Sequence, residues 1–375
     1  MKIAEKDEII KKRIEAFSEK YVNKLPRNEF SKEAWKKCGE FGIIANLLPK
    51  EMGGMAESIG DIMKLLKWIG YYFNDNGFVF SICNSLILYL GIFPKMASKK
   101  IKEEFGSGII QGKYVGAYAI TEANSGSDAY NMGTSCKVEE DKIVINGSKM
   151  YISNGSVADL IVVVAKNAEM GQNRYTAILV KRDDKGVKIG KTIHKMGLES
   201  CMMSEITFNN CVVPRNRVIG TIGMGSLVGN MAFDWEKCIS FSTHLGKMNR
   251  IMNDCIEYAN QRKQFGKSIG EYQMISEKIA KMKVAIELGE AYLEKIISIK
   301  ESGKITFLES SVYKYYVGES YAQLCLDAMQ IYGAYGYCKE SGIEQEVRDS
   351  LGAKIYSGTS EMQLYNIAKL IGVKG

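Results

Sequence analysis

Two histidines, His194 and His244, are all the imidazole that this 375-residue sequence carries. A histidine-rich zinc centre is therefore disfavoured, and any nucleophilic triad is confined to those two positions. Nine cysteines (Cys38, Cys83, Cys136, Cys201, Cys211, Cys238, Cys255, Cys325, Cys338) are scattered, odd in number and never spaced as C-x-x-C, so they read as reduced thiols of a cytoplasmic protein. Gly223-x-Gly225-x-x-x-Gly229 has the look of a dinucleotide fingerprint, but its spacing is wrong and no βαβ pattern surrounds it. Thr121-Glu122-Ala123-Asn124-Ser125-Gly126-Ser127-Asp128, following Tyr118-Ala119-Ile120, is a loop of small hydroxyl residues. Such a loop can offer N–H groups and hydroxyls to phosphates or to a heteroaromatic edge; a plain polar loop ending in a helix N-cap has the same composition.

Composition and periodicity set the elements that must hold these residues. With 46% hydrophobic and 25% charged residues, the chain can bury a large core and is not disordered. Fifty basic against 43 acidic residues leave +7, too mild and too scattered for nucleic acid but suited to a phosphate-bearing substrate or an acidic protein. The four prolines stop at Pro214, so the C-terminal part has no obligatory helix breaker. Near the N-terminus Ile3, Ile10, Ile14, Phe17 and Tyr21 recur at helical spacing, and acids mixed among the lysines argue against a transit peptide. The longest apolar run, 78–93, is interrupted by Cys83-Asn84-Ser85 and falls short of the ~20 residues of a membrane span, which predicts a buried helix.

Three regions follow. Residues 1–112 are helical, broken at Pro26, 49–54 and 75–77, with Trp35 and Trp68 as core candidates. Residues 113–220 switch to short β-branched runs, with Asn146-Gly147 between 142–146 and 149–153 as a type I′ hairpin signal. Further runs at 161–165, 175–180, 206–208 and 211–213 have no helix between them and predict an antiparallel domain, not a βαβ sheet. Residues 221–375 are helical again, with breaks near 265–270, 302–304, 333–336 and 358. The expected class is α+β, mostly α: an N-terminal helical domain, a middle antiparallel β domain and a C-terminal four-helix bundle.

At this point the chain resembles a known family. Residues 118–128 resemble the T-E-x-x-x-G-S-D segment of the acyl-CoA dehydrogenases, and Tyr151-Ile152-Ser153-Asn154-Gly155 resembles their W-I-T-N-G strand. Gln261-Arg262-Lys263-Gln264-Phe265-Gly266 is similar to the R-x-x-F-G turn, and 330–337 to Q-x-x-G-G-x-G-Y. Arg348-Asp349-Ser350 and 355–361 complete the pattern in the family's order. The resemblance implies FAD held without a Rossmann fold. Tyr118, Ile120 and Thr121 would line the pyrimidine side of the flavin, Ser127 would reach a phosphate, and Tyr151 and Ser153 would stack on and hydrogen-bond the ring. Arg262, Phe265, Gln330 and Gly333 of a neighbouring subunit would clamp the adenine end, with Thr359 and Glu361 at the cofactor from the first. A homo-oligomer is implied, a dimer or a dimer of dimers.

In most of the family the general base is a glutamate just before the Gly-Thr of the C-terminal motif. Here Ser357 stands there, and a hydroxyl cannot take an α-proton at neutral pH. A subset resembling the isovaleryl- and long-chain-acyl dehydrogenases carries the base on the helix opening the C-terminal domain; the matching segment, Phe233-Asp234-Trp235-Glu236-Lys237, contains Glu236. A solvated helix carboxylate beside Lys237 or Ser240 is the plain alternative. The apolar neighbours Phe233, Trp235, Cys238, Ile239 and Phe241 favour burial, which lifts a carboxylate's pKa toward that of a working base. The resemblance then implies that Glu236 takes the pro-R α-proton of an acyl thioester while flavin N5 accepts the β-hydride, giving a trans-2-enoyl thioester. The backbone N–H of Ser357 would support the thioester carbonyl, and Phe233, Asp234 and Lys237 would face the substrate.

Departures from the pattern touch the substrate mouth and the cofactor clamp: Lys237 for an arginine, Ala123-Asn124 for Pro-Gly, Ala334 for the second glycine of its motif, and Glu199 where arginine is common. The carrier is open between CoA and the phosphopantetheine arm of an acyl- or peptidyl-carrier protein, and electron-transfer flavoprotein is the implied acceptor. His244, two turns beyond Glu236, is expected as a packed helix histidine. Two other readings remain: a flavin oxidase or N-oxygenating member of the same fold, in which oxygen takes the electrons, and a catalytically silent interaction scaffold. Neither nucleic acid nor a membrane span is expected.

Overall fold

The computed structural model describes residues 3–170 and 174–373, without the side chains of residues 3–7 and 168, so Ile3 of the N-terminal pattern lies outside the described side chains. The N-terminal helices are α1 (Ile3–Tyr21), α2 (Lys32–Glu40), α3 (Ile43–Asn46), α4 (Ile59–Tyr72), α5 (Asn76–Leu86), α6 (Phe93–Met96) and α7 (Lys99–Ile110). Ser31, Ser58, Asp75 and Ser98 each accept a bond from a first-turn N–H, which sets the starts of α2, α4, α5 and α7. Trp35 is buried and Trp68 packs partly buried against the same core.

A π-type turn over Ile87–Ile92 joins α5 to α6, making a continuous helix Asn76–Met96 of 21 residues. By length and composition it could cross a membrane, so the sequence argument from length fails. The helix is 94% buried within the protein over its most apolar window, which is what a core helix shows.

The middle strands are β1 (Gly116–Ala119), β2 (Ser135–Val138), β3 (Lys142–Ile152), β4 (Leu160–Asn167), β5 (Tyr175–Lys181), β6 (Val187–Ile193), β7 (Met203–Pro214) and β8 (Val218–Ile219). Their order is β6-β7-β3-β2-β4-β5-β8, with β1 also on β4. Two expectations are corrected here. The sheet is mixed, because β1 pairs in parallel with Leu160–Val163 and β2 with Lys166–Asn167. The loop between β1 and β2 swings out and returns to the same edge of β4, so no helix is needed for the parallel pairing. Asn146-Gly147 is not a hairpin turn. β3 runs straight through it with a register shift, and a Cβ on Gly147 would sit 2.6 Å from Thr134. The glycine marks a bulge where another segment approaches closely.

The proline-free C-terminal region forms α8 (Gly225–Gln261), the short pair β9 (Lys263–Gln264) and β10 (Lys267–Ser268), α9 (Gln273–Glu301), α10 (Phe307–Tyr332), α11 (Ile343–Gly352) and α12 (Ser360–Leu370). Gly223 and Gly225 lie at the start of α8, and Gly225 abuts the backbone at Tyr175 and Thr176. The 37-residue α8 is the axle of the molecule, buried from Glu236 to Met248. It crosses α4 at backbone contact: a Cβ on Gly246 would lie 1.9 Å from the Lys67 carbonyl, and one on Gly70 1.9 Å from that of Thr243.

Gly246→Ala therefore forces α4 and α8 apart. It should cost about 2 kcal/mol, read as a lower thermal midpoint than that of Gly126→Ala, whose Cβ would meet nothing within 4 Å and whose φ is not positive.

Candidate active site

The central turns of α8 carry a run of charges that the sequence would normally place in water, and each has a different fate. Asp234 is held by Lys300 at 2.5 Å and by the Thr306 hydroxyl at 2.8 Å. The Lys300 ammonium also lies 4.3 Å from the Trp235 ring. Lys237 donates to the Ser311 hydroxyl at 3.0 Å, and burial holds its pKa below the usual lysine range. Glu236, only 7% exposed, has no salt bridge among the described residues. Burial pushes its pKa up to about 7 against the opposing pull of the Ser357 hydroxyl, Lys237 and Lys314.

Ser357 sits in the loop between α11 and α12 with φ 58°, a strained value for a serine. Gln363 holds that conformation by donating to the carbonyls of Ser357 and Gly358 at 3.0 and 2.9 Å. The Ser357 hydroxyl is buried without a hydrogen bond of normal geometry, and its backbone N–H has no partner among the described residues. Thr359 caps α12, and Glu361 is exposed on its first turn.

The β domain meets α8 through Tyr118, whose ring packs edge-on to Phe233 with centroids 6.1 Å apart. Its buried hydroxyl has no partner. Ile120 is buried beside it, and Thr121 accepts the N–H of Met150, which ties the loop to β3. Lys149, fully buried, locks this loop by donating to the Ile120 carbonyl at 2.9 Å and to Glu122 at 2.8 Å, while Glu122 also accepts the N–H groups of Gly133 and Thr134. Ser127 is exposed on the loop. Tyr151, with φ 58°, is 57% exposed, and Ser153 follows at the end of β3. Asn154 reaches back to the carbonyls of Ser81 and Gly116, each at 2.9 Å, and fixes β1 against α5.

The structure thus gathers Glu236, Ser357, Lys237, Phe233 and Tyr118 around one stretch of α8. Arg262, Phe265, Gln330 and Gly333 lie elsewhere, all on the exposed surface, with Phe265 94% exposed. Along α8 alone, Arg262 is about 43 Å from Phe233. A cavity of about 540 Å³ opens next to the site, lined by Asp234, Trp235, Met231, Gly91, Ile305 and Phe307, with Lys95 and Lys304 also at its wall. Glu236 is not in that wall; it points from the other side of α8.

Two residues of the site, Lys314 and Tyr356, are not singled out by the sequence. Lys314 is fully buried, donates to the Lys354 carbonyl at 3.3 Å, and has its pKa lowered to about 8 by burial and by Lys237. Its signal was a lysine in the buried register of α10, among Ser310, Ser311, Val317 and Tyr321. Tyr356 packs on Phe80 and hydrogen-bonds His244, which burial keeps neutral, so that histidine is a packed one. Glu199, an apparent departure, pairs with Arg348 at 3.0 Å and is structural.

Residues 117–211 match the family model described as acyl-CoA dehydrogenase, middle domain, and residues 223–372 that described as acyl-CoA dehydrogenase, C-terminal domain. The caffeyl-CoA reductase-Etf complex subunit CarC of Acetobacterium woodii is 31% identical over 380 residues, covering 99% of both chains. The L-prolyl-[peptidyl-carrier protein] dehydrogenase of Serratia sp. (strain ATCC 39006) is 29% identical over 94% of this chain and 92% of that one. Among solved structures, the prolyl acyl carrier protein oxidase AnaB matches with TM-score 0.93 at 32% identity, over 98% of this chain and 99% of that one. PigA with FAD and proline matches with TM-score 0.93 at 27% identity, over 99% and 98%. The chain belongs to the acyl-CoA dehydrogenase family.

A rate that needs ionised Glu236 rises with pH through about 7. Lys314 faces Lys237, Glu319, Glu236 and Glu361, and its charge favours the ionised carboxylate. In Lys314→Met the rising limb of the pH–rate profile should move to higher pH, while Lys314→Arg should keep it near the wild-type position.

Proposed function

We propose that the protein is an FAD-dependent dehydrogenase that introduces a trans-2 double bond into an acyl thioester, with Glu236 as the base. The observation that carries this reading is a carboxylate buried inside α8 with its pKa near 7, facing the loop whose own base position holds serine. The placement supports the subset in which the base is borne by the helix opening the C-terminal domain.

The residues present fit FAD. Tyr118 leaves a buried hydroxyl unpaired at the junction of β1 and α8, and Tyr151 is turned outward on a positive φ beside Ser153. Ile120, Thr121 and Ser127 extend that wall, and Thr359 and Glu361 complete it from the C-terminal loop. Arg262 and Phe265 lie at the far end of α8, and Gln330 and Gly333 flank Tyr332, which stacks on Tyr258 at that same end, so in this reading the four serve the cofactor of a second copy. The apolar side chains Val284, Leu288, Leu326 and Leu364, each more than 45% exposed except Leu326 at 45%, support a homo-oligomer.

When bound, FAD supplies the hydride acceptor. The chain's own residues do the rest. Glu236 removes the α-proton, at a pKa that leaves much of it ionised at neutral pH and still basic enough to work. The free N–H of Ser357 is available to the thioester carbonyl as negative charge develops there. Phe233 and Tyr118 exclude water on the β-domain side. Lys237 lies on the same turn of α8 as Glu236 and keeps positive charge beside it. The relatives' names support a carrier-protein or CoA thioester as substrate and electron-transfer flavoprotein as acceptor. Nine free cysteines, eight of them buried, fit a reducing cytoplasm. An oxidase using oxygen as acceptor is the second reading, favoured by the likeness to AnaB.

Anaerobic titration of the yellow protein with acyl-CoA and acyl-carrier thioesters should bleach the flavin. Glu236→Gln should bind the same ester yet reduce about 10²–10⁴-fold more slowly; equal rates in both proteins would remove Glu236 from this role. Fast reoxidation of the bleached protein by air, with peroxide formed, would select the oxidase.

A further inference from the structure

The cavity of about 540 Å³ beside α8 has no part in the chemistry assigned so far, and its place on the helix is the reason. Leu227, Met231, Asp234 and Trp235 line it. At about 100° per residue these four form one stripe, and Glu236 stands about 150° round the helix from its centre. A molecule held in this cavity does not reach the base.

The volume is that of a small-molecule site, and the walls are mainly apolar. One side is the π-type turn Ile87–Ile92, a rare element that often marks functional positions. The turn brings Gly91 so close to Trp235 that a Cβ there would lie 2.9 Å from the tryptophan side chain. Trp235 is fixed by that contact and by the Lys300 ammonium, 4.3 Å from its ring.

Lys300 gives the cavity its sign. Its side chain is 4% exposed, and among the described residues its ammonium donates to Asp234 alone, at 2.5 Å. An ammonium has three donors, so a buried positive group in the wall keeps some unused. Asp234 has no matching surplus, because it also accepts the Thr306 hydroxyl at 2.8 and 3.0 Å. The exposed part of the wall favours neither sign, since Lys95 and Lys304 share it with Glu51 and Glu57. What the interior lacks is an acceptor, and buried donors left unmet are costly.

We propose that this cavity is a second binding site, for a small monocarboxylate with an apolar body. The carboxylate lies on Lys300 and the body against Met231 and Trp235. The site is separate from the one that holds Glu236, and the inference does not rest on the dehydrogenase reading.

The probe is octanoate, titrated calorimetrically into the FAD-bound protein at pH 8, with octanol and octyltrimethylammonium as matched controls. The expected result is saturable binding of octanoate, about ten-fold or more tighter than octanol, and no binding of the cation. Tryptophan emission shifts on binding, the shift is lost in Trp235→Phe, and the flavin spectrum does not change. In Lys300→Met the preference for octanoate over octanol falls to about one. In Met231→Trp, which fills the cavity and leaves the Asp234–Lys300 pair intact, both bind about ten-fold or more weakly. Octanol binding as tightly as octanoate, a preference that survives Lys300→Met, or unchanged binding in Met231→Trp overturns the inference. So does octanoate that perturbs the flavin and leaves tryptophan emission alone, because it then sits on the Glu236 side of α8. The wild-type comparison decides the matter even if a variant does not fold. None of these outcomes bears on the dehydrogenase reading, which flavin bleaching by thioesters tests separately.

Discussion

A carboxylate can take a proton from a weakly acidic C–H only where water no longer holds its pKa near 4. The burial of Glu236 meets that condition, and much of the surrounding structure exists to make it tolerable. An unpaired buried charge is among the most expensive features a fold can carry. Here the neighbouring charges are disposed of one by one: Asp234 to Lys300 and Thr306, Lys237 to Ser311, Lys314 to the Lys354 carbonyl. Glu236 is left with two ammonium groups close enough to favour its charged form and not close enough to neutralise it. The result is a pKa about midway between an ordinary carboxylate and a fully desolvated one.

Position matters as much as pKa, and it comes from the backbone crossing of α4 over α8. Gly70 and Gly246 let the two helices touch main chain to main chain, which leaves the next turns of α8 no freedom to roll. From the opposite side the β domain is pinned by polar groups instead. Asn154 ties β1 to α5, and the Lys149–Glu122 pair holds the loop that follows β1. That pair is fully buried at the lysine end and gains four hydrogen bonds to loop backbone and side chain, which is the condition under which a buried ion pair fixes a conformation. The bulge at Gly147 serves the same end, since it lets one strand carry both Lys149 and the outward-facing Tyr151.

The loop at Ser357 keeps its backbone arrangement without a carboxylate side chain. Its positive φ and the two bonds from Gln363 preserve a loop backbone that offers a free N–H, a function independent of the side chain. Glu236 and the Ser357 N–H come from different elements and are brought together only by the packing of the α11–α12 loop on α8.

Much of this was legible before any coordinates. Proline depletion after Pro214, helical periodicity at both ends and β-branched runs between them determine the three-part order of elements, because each is a local property of the chain. The position of Glu236 among Phe233, Trp235, Cys238 and Ile239 already predicts its burial. Other features were not local. Asn146-Gly147 has the composition of a turn, and only the strands on either side of β3, with Thr134 against the glycine, make it a bulge. The parallel pairing of β1 and β2 depends on where a loop returns, which no periodicity encodes. Lys314 looks like an ordinary polar residue in the sequence. Its meaning arises from its nearness to Glu236 and Lys237, more than 70 residues away in the chain. The sequence thus determined the elements and the burial of Glu236, since propensity and apolar pattern act over a few residues. The tertiary structure decided which charges surround it, because burial and electrostatics are set by what packs on top.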